Sequence, residues 1–227
     1  MEDFIALLED EDLDLAAVTE TWFPSYHNSV TAQLDETGYN ICHFVREHKK
    51  GGGVALIYKK SFKVKSSKTY SYDTFECIRV SISSHTSSPL NLVIVYRYCE
   101  LNPSLFLTEF HNFIHSIYVD FTKLIILGDF NLHVNEILSP TSVQFQDILS
   151  SFNMSQLVNG PTHELGNTLD LIIANSEETD IRDIKIDFSS KSDHSPSIHL
   201  LSASQHQMVS LMAKSVSSAS PSSVSSM

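Results

Sequence analysis

Apolar runs of the roughly 20 residues needed to cross a bilayer are absent from this 227-residue chain, so no membrane-spanning helix is expected. Cysteine is scarce. Cys42, Cys77 and Cys99 are scattered, and their spacing fits neither a zinc site nor a disulfide framework. A reducing, intracellular setting is the expectation that follows. The start, Met1-Glu2-Asp3, lacks the basic-then-apolar pattern of a signal peptide. Seven Gly and seven Pro give no fibrous or low-complexity signal. Basic charge is short as well: the net charge of −12 speaks against nonspecific nucleic-acid affinity through bulk charge.

That charge is uneven. Glu2, Asp3, Glu9, Asp10, Glu11, Asp12 and Asp14 crowd the start, while Arg46, Lys49, Lys50, Lys59, Lys60, Lys63, Lys65 and Lys68 form a basic stretch. A solvated hairpin accounts for that stretch; contact with a phosphate backbone is the functional alternative. The length suits one domain with a large core, expected over residues 1–203. Residues 204–227 are Ser-rich and without periodicity, and are expected to form a disordered tail.

The stretch that organises the chain is Lys123-Leu-Ile-Ile-Leu-Gly-Asp-Phe-Asn131. Its apolar run predicts a strand covered on both faces. Asp129 and Asn131, two residues apart on extended chain, leave the strand's carboxyl end pointing the same way. Open α/β sheets put their sites at such ends. Other strands are predicted over 13–18, 39–46, 54–58, 62–66, 78–82, 92–95, 157–158, 169–173, 181–188 and 197–201, and a short helix near Met1. Residues 24–38 read as loop, and Gly51-Gly52-Gly53 as a hairpin turn. Asn102-Pro103 is a helix start, with a cap residue and then Pro, and Phe106, Phe110, Phe113, Ile114 and Ile117 follow at helical spacing. Phe145, Ile148, Leu149 and Phe152 predict a second amphipathic helix.

Polar side chains recur where these strands end: Glu20, Tyr96, Asp129, Asn131, Asp193 and His194. Asp170 lies inside an apolar run and needs a partner there. If the strands share a sheet edge, the set converges. Carboxylate oxygens suit Mg²⁺ or Mn²⁺ rather than zinc. An imidazole needs a carboxylate to fix its tautomer, and Asp170 is placed to do that for His194. Asn131 and Tyr96 offer donors to phosphate oxygens. Such parts suit metal-assisted hydrolysis of a phosphodiester.

Eight pieces, in order, carry a resemblance: 15–22 (LAAVTETW), 51–55 (GGGVA), Phe75-Glu76, Val95-Tyr-Arg97, 128–131 (GDFN), Pro161-Thr-His163, 168–173 (TLDLII) and Ser192-Asp-His194. Together they resemble the endonuclease/exonuclease/phosphatase superfamily, and within it the apurinic/apyrimidinic-type endonuclease domain of non-LTR, LINE-type retrotransposon polyproteins. The resemblance implies an α/β fold, a four-layer sandwich of two packed mixed β-sheets flanked by helices. It implies a Mg²⁺- or Mn²⁺-dependent nuclease acting on the DNA backbone, without a small-molecule cofactor or a membrane, with a monomer as the default. Carried over by position, Glu20 resembles the principal metal ligand and Asp193 assists it. Asp129 resembles the carboxylate that orients or deprotonates water, Asn131 and Tyr96 contact phosphate, and His194 is held by Asp170. Thr168 supports that pair; His163 gains no role and reads as a satisfied loop histidine.

The chain also departs from the family. The family's first strand, ending in an asparagine, has no counterpart before residues 2–8, so a truncated domain with an exposed strand edge is expected. After Tyr96-Arg97 the family usually has Pro, where this chain has Tyr98-Cys99. The serine-rich tail stands where an intact element carries a reverse transcriptase. Two alternatives therefore stay open: a catalytically impaired remnant, and a phosphoesterase of the same fold acting on another phosphoester. Action on chromosomal DNA would need nuclear access.

Overall fold

The computed structural model describes residues 2–21, 28–44, 52–84, 89–119, 123–163, 165–175, 181–187, 197–204 and 207–215. The first sheet is built on β1 (Leu15–Thr19), whose five residues are all buried. Around it stand β2 (Tyr39–Phe44), β3 (Val54–Lys59), β10 (Ile181–Asp187), β11 (Ser197–Ser204) and β12 (Gln207–Ser215), in the order β10-β11-β12-β1-β3-β2. The second sheet runs β4 (Lys63–Ser71), β5 (Phe75–Ser83), β6 (Leu90–Arg97), β7 (Leu124–Asp129), β9 (Asp170–Ala174) and β8 (Ser155–Gln156). Both are mixed. Among the described residues only β1–β12 and β6–β7 pair in parallel, the latter joined through helix α3 (Pro103–Tyr118).

Period-two alternation sorts the core into layers. Leu15 and Ala17 of β1 face Ile78, Leu92, Ile94, Ile125 and Leu127 of the second sheet. Ala16 and Val18 turn outward, to α1 (Glu2–Asp10) and α2 (Asn28–Glu36) through Leu8 and Leu34. Val93, Val95 and Ile126 turn outward from the second sheet to α3 and α4 (Pro140–Ser151). The result is helix, sheet, sheet, helix, as the resemblance implied. The layer over the second sheet is the heavier. Phe75, Phe106, Phe110, Phe113, Phe130 and Phe145 are all at 0 % exposure, and rings such as Phe110 and Phe130 meet edge to face at 5.5 Å. Helix α3 starts as its sequence predicts, and α4 starts in the same way. Asn102 accepts from the Ser104 N–H, Ser139 accepts from the Ser142 N–H, and Pro takes the first helical position in each.

Three expectations change. Residues 28–36 form α2 rather than loop, because Val30 and Leu34, one turn apart, seat on the first sheet, with Leu34 completely buried. A single deeply buried residue is too faint a stripe to read as a helix. The strand expected at 157–158 is the two-residue β8, while Leu157 still donates to the Ile172 carbonyl at 2.8 Å. Residues 207–215, expected within the tail, form β12, which pairs with β11 and with all five residues of β1. The β1 edge is thus covered by backbone hydrogen bonding, for which side-chain periodicity is a poor guide. Part of the basic stretch neutralises the acidic start: Lys59 contacts Asp12 and Asp14, at 2.8 and 3.0 Å. Among the described residues no helix is long and apolar enough to cross a membrane.

Candidate active site

The carboxyl ends of β1, β6 and β7 and the amino end of β9 lie at one edge of the sandwich. They present Glu20, Tyr96, Asp129 and Asp170, with Asn131 two residues past Asp129. Asp129 and Asp170 are register partners across the β7–β9 ladder, and Tyr96 and Asp129 across β6–β7. Gly128 makes this crowding possible. At φ +136° it passes so near β6 that an added Cβ would lie 2.0 Å from the Val95 carbonyl oxygen. Glu20 and Asn131 both adopt left-handed backbone, at φ 52° and 47°. A glutamate there is strained by roughly 1–3 kcal/mol, and its surroundings must hold it.

The site is tied together by hydrogen bonds. Tyr96 donates its hydroxyl to Glu20 Oε1 at 2.6 Å, joining the second sheet to the first. The Asn131 N–H donates to Asp129 Oδ1 at 3.0 Å. Its side-chain amide donates to Asp129 Oδ2 at 3.1 Å and to the Arg97 carbonyl at 2.8 Å. Arg97, 1 % exposed, lies against the Phe106 ring and donates to the Asn131 and Leu101 carbonyls. The Asn131 amide is therefore divided between the Asp129 carboxylate and the Arg97 carbonyl. A cavity of about 530 Å³ opens beside Asn131, lined among others by Arg97, Asn102, His133 and Ser139.

The edge gathers three carboxylates, two of them deeply buried. Burial pushes Asp129 up to about 7, opposed by its two Asn131 hydrogen bonds and reinforced by Glu20. Burial raises Asp170 well above the usual carboxylate range, and the neighbouring Asp129 adds to that. Tyr96 is raised by burial and by Glu20, so its phenol keeps its proton and remains a donor. Thr162 supports Asp170 from both sides. Its hydroxyl donates to the carboxylate, and Oγ1 accepts from the Asp170 and Leu169 N–H groups, each at 2.9 Å.

Five of the expected residues are thus brought to one edge. Asp193 and His194 lie outside the described residues. Thr168, expected to support the Asp170 pair, instead donates to the Gly160 carbonyl, and Thr162 stands where that support was sought. His163 accepts from the Leu165 N–H within its own loop, as a satisfied loop histidine should. Arg97 and Thr162 were visible only as members of matching pieces; nothing in spacing revealed what their side chains hold.

A profile of the Endonuclease/Exonuclease/phosphatase family matches residues 1–194. The chain belongs to this family. No curated protein sequence matches it. Among solved structures it is similar to the 3′ phosphatase NExo from Neisseria bound to product DNA hairpin, at TM-score 0.69 and 16 % identity, covering 89 % of this chain and 94 % of that one. An AP endonuclease from Archaeoglobus fulgidus gives TM-score 0.65 and 15 % identity, covering 86 % and 91 %. The endonuclease domain of TRAS1, a telomere-specific non-LTR retrotransposon, gives 0.62 and 10 %, covering 87 % and 90 %. At these identities the likeness concerns the endonuclease/exonuclease/phosphatase fold alone.

Enzymes of this family generally depend on a divalent metal. Among the described residues no three His, Cys, Asp or Glu side chains form a cluster able to hold an ion. The donor chemistry nevertheless fits Mg²⁺, which keeps several waters and needs only one or two carboxylates. Glu20 is half-buried at the edge, beside two carboxylates that burial holds above the usual range.

Proposed function

We propose that this chain is a divalent-metal-dependent phosphodiesterase that nicks DNA, of the retrotransposon endonuclease type. The observation that carries this is the grouping at one edge of a strained, tyrosine-held glutamate and an asparagine-held aspartate paired with a second buried aspartate. Family membership supports phosphoester hydrolysis. The 19–22 and 168–172 pieces support the retrotransposon branch.

In this reading Glu20, with Asp193 assisting, would hold a Mg²⁺ or Mn²⁺ ion, which would supply Lewis-acid charge for phosphoester hydrolysis. Tyr96 fixes Glu20 by donating its phenol proton to the carboxylate. Asp129 takes the proton from the attacking water; an ordinary carboxylate is a weak base at neutral pH, and burial brings Asp129 up to about 7. The water oxygen bonds to phosphorus as the bond to the leaving strand's oxygen breaks, and that oxygen takes up a proton. Asn131 orients Asp129, a positioning role that replaces the phosphate contact expected from the resemblance. By the resemblance, His194 would contact the phosphate or act as a base, with Asp170 as its partner.

The test is plasmid nicking with Mg²⁺. Asp129→Ala and Glu20→Gln should each lower the rate by about 10²–10⁴-fold, and chelation should abolish it. Equal rates in all three proteins overturn the proposal. One observation favours a second reading, an impaired relative. The strand parallel to β1 is β12, ending in Ser215 opposite Thr19, rather than a strand ending in asparagine. Metal binding without any turnover would select it.

A further inference from the structure

Glu76, part of the Phe75-Glu76 piece, takes no part in the chemistry above, yet it is fully buried. On β5, Phe75 and Cys77 face the helices, whereas Ile78, Val80 and Ile82 face the first sheet. Glu76 shares the latter face, so its carboxylate enters the gap between the sheets at the site's edge. There Oε1 accepts from the Gly53 N–H across the gap, and Oε2 accepts from the Tyr98 hydroxyl at 3.1 Å. Gly53, just before β3, accepts in turn from the Thr21 N–H at 3.2 Å. Thr21 directly follows Glu20, whose left-handed backbone needs support. Glu76 is also the register partner of Tyr96, which grips the Glu20 carboxylate. Neighbouring positions on β5 and β6 thus hold Glu20 twice, through its side chain by Tyr96 and through its backbone by way of Gly53.

We infer that Glu76 is a positioning residue: its buried carboxylate clamps Gly53 and Thr21 and so sets the conformation of Glu20. The inference rests on the proposed function for its catalytic consequence, but not for the clamp itself. Gly53 fits the role. At φ +95° it supplies backbone that other residues resist, and an added Cβ would sit 2.4 Å from Thr21 Oγ1.

The experiment compares wild type with Glu76→Gln, Glu76→Ala and Glu76→Asp. Gln keeps an acceptor for Gly53, whereas Asp keeps the charge and loses the reach. Hydrogen exchange at the Gly53 and Thr21 amides reads the clamp. Mn²⁺ titration and plasmid nicking read its consequence. Exchange should quicken at least about tenfold in Ala and Asp and stay near wild type in Gln. Mn²⁺ affinity should fall about 10–100-fold in Ala and Asp, with nicking partly recovered at high metal and with Gln again near wild type. If Ala does not fold, Asp decides. Unchanged exchange in the folded variants, or equal damage in Gln and Asp, overturns the clamp. A wild type that binds no Mn²⁺ overturns the functional reading instead, and the exchange arm still decides the clamp.

Discussion

Among the described site residues, Tyr96, Asp129 and Asp170 stand on three neighbouring strands of the second sheet, whereas Glu20 follows β1 in the first. The three rest on strands packed beneath by α3, α4 and a layer of phenylalanines. Glu20 rests on alanine- and valine-sized residues backed by Leu8 and Leu34, in a backbone conformation glutamate resists. The difference teaches where the site is rigid and where it is borrowed. The second sheet is a platform. Among the described residues the first sheet supplies one carboxylate to the site, Glu20, which the platform reaches across to hold through Tyr96.

The comparison can be broken at its strongest point. Gly128→Ala sets a Cβ against the β6 backbone in a left-handed conformation, so the domain should lose more than about 4 kcal/mol or fail to fold. Chemical denaturation reads this; a loss below about 1 kcal/mol would mean that the close approach is dispensable. Next comes the weight of the two helical layers. Phe110→Ala should cost about 3–5 kcal/mol, and Leu34→Ala about 2–3, since a smaller cluster surrounds Leu34. The reverse order in urea unfolding would deny the platform its primacy.

A smaller effect separates stability from charge. Asp129 holds its proton more tightly folded than unfolded, moving from an ordinary 3.8 to about 7. The stability it contributes is therefore complete below about pH 4 and is lost as pH rises through about 7. Metal-free Asp129→Asn should escape that loss, so its melting temperature should gain on wild type across pH 4–7.5. Parallel melting curves would refute a buried, uncompensated carboxylate. Smallest of all, Lys60→Ala removes an exposed pair with Asp35, at 2.7 Å, and should change stability by no more than about 0.5 kcal/mol. A larger loss would show that this corner of the first sheet is less solvent-screened than its exposure indicates.

The apolar runs of β1, β6, β7 and β9 were plain in the sequence, because strands buried on both faces carry no polar interruptions. So was the α3 stripe, with its Asn-Pro start. The site's members were legible as polar residues placed where such runs stop, and Asp170 as an acid where none belongs. Its wiring was not. That Asn131 spends its amide on Asp129 and Arg97, and that Thr162 rather than Thr168 cradles Asp170, depends on loop geometry that sequence spacing does not encode. The α2 helix escaped because a single turn of contact buries it, and β12 because a backbone ladder tolerates serine where a core would not.

That ladder has a temporal consequence. Leu15 pairs with Leu211, so the strand bearing Glu20 meets its parallel neighbour only after both sheets' other strands have been made. A chain leaving the ribosome exposes β1 long before residue 211 has been synthesised. Assembly of the first sheet therefore waits for β12 to emerge, the high contact order slows its closure, and the nascent β1 edge is a place for a chaperone to bind.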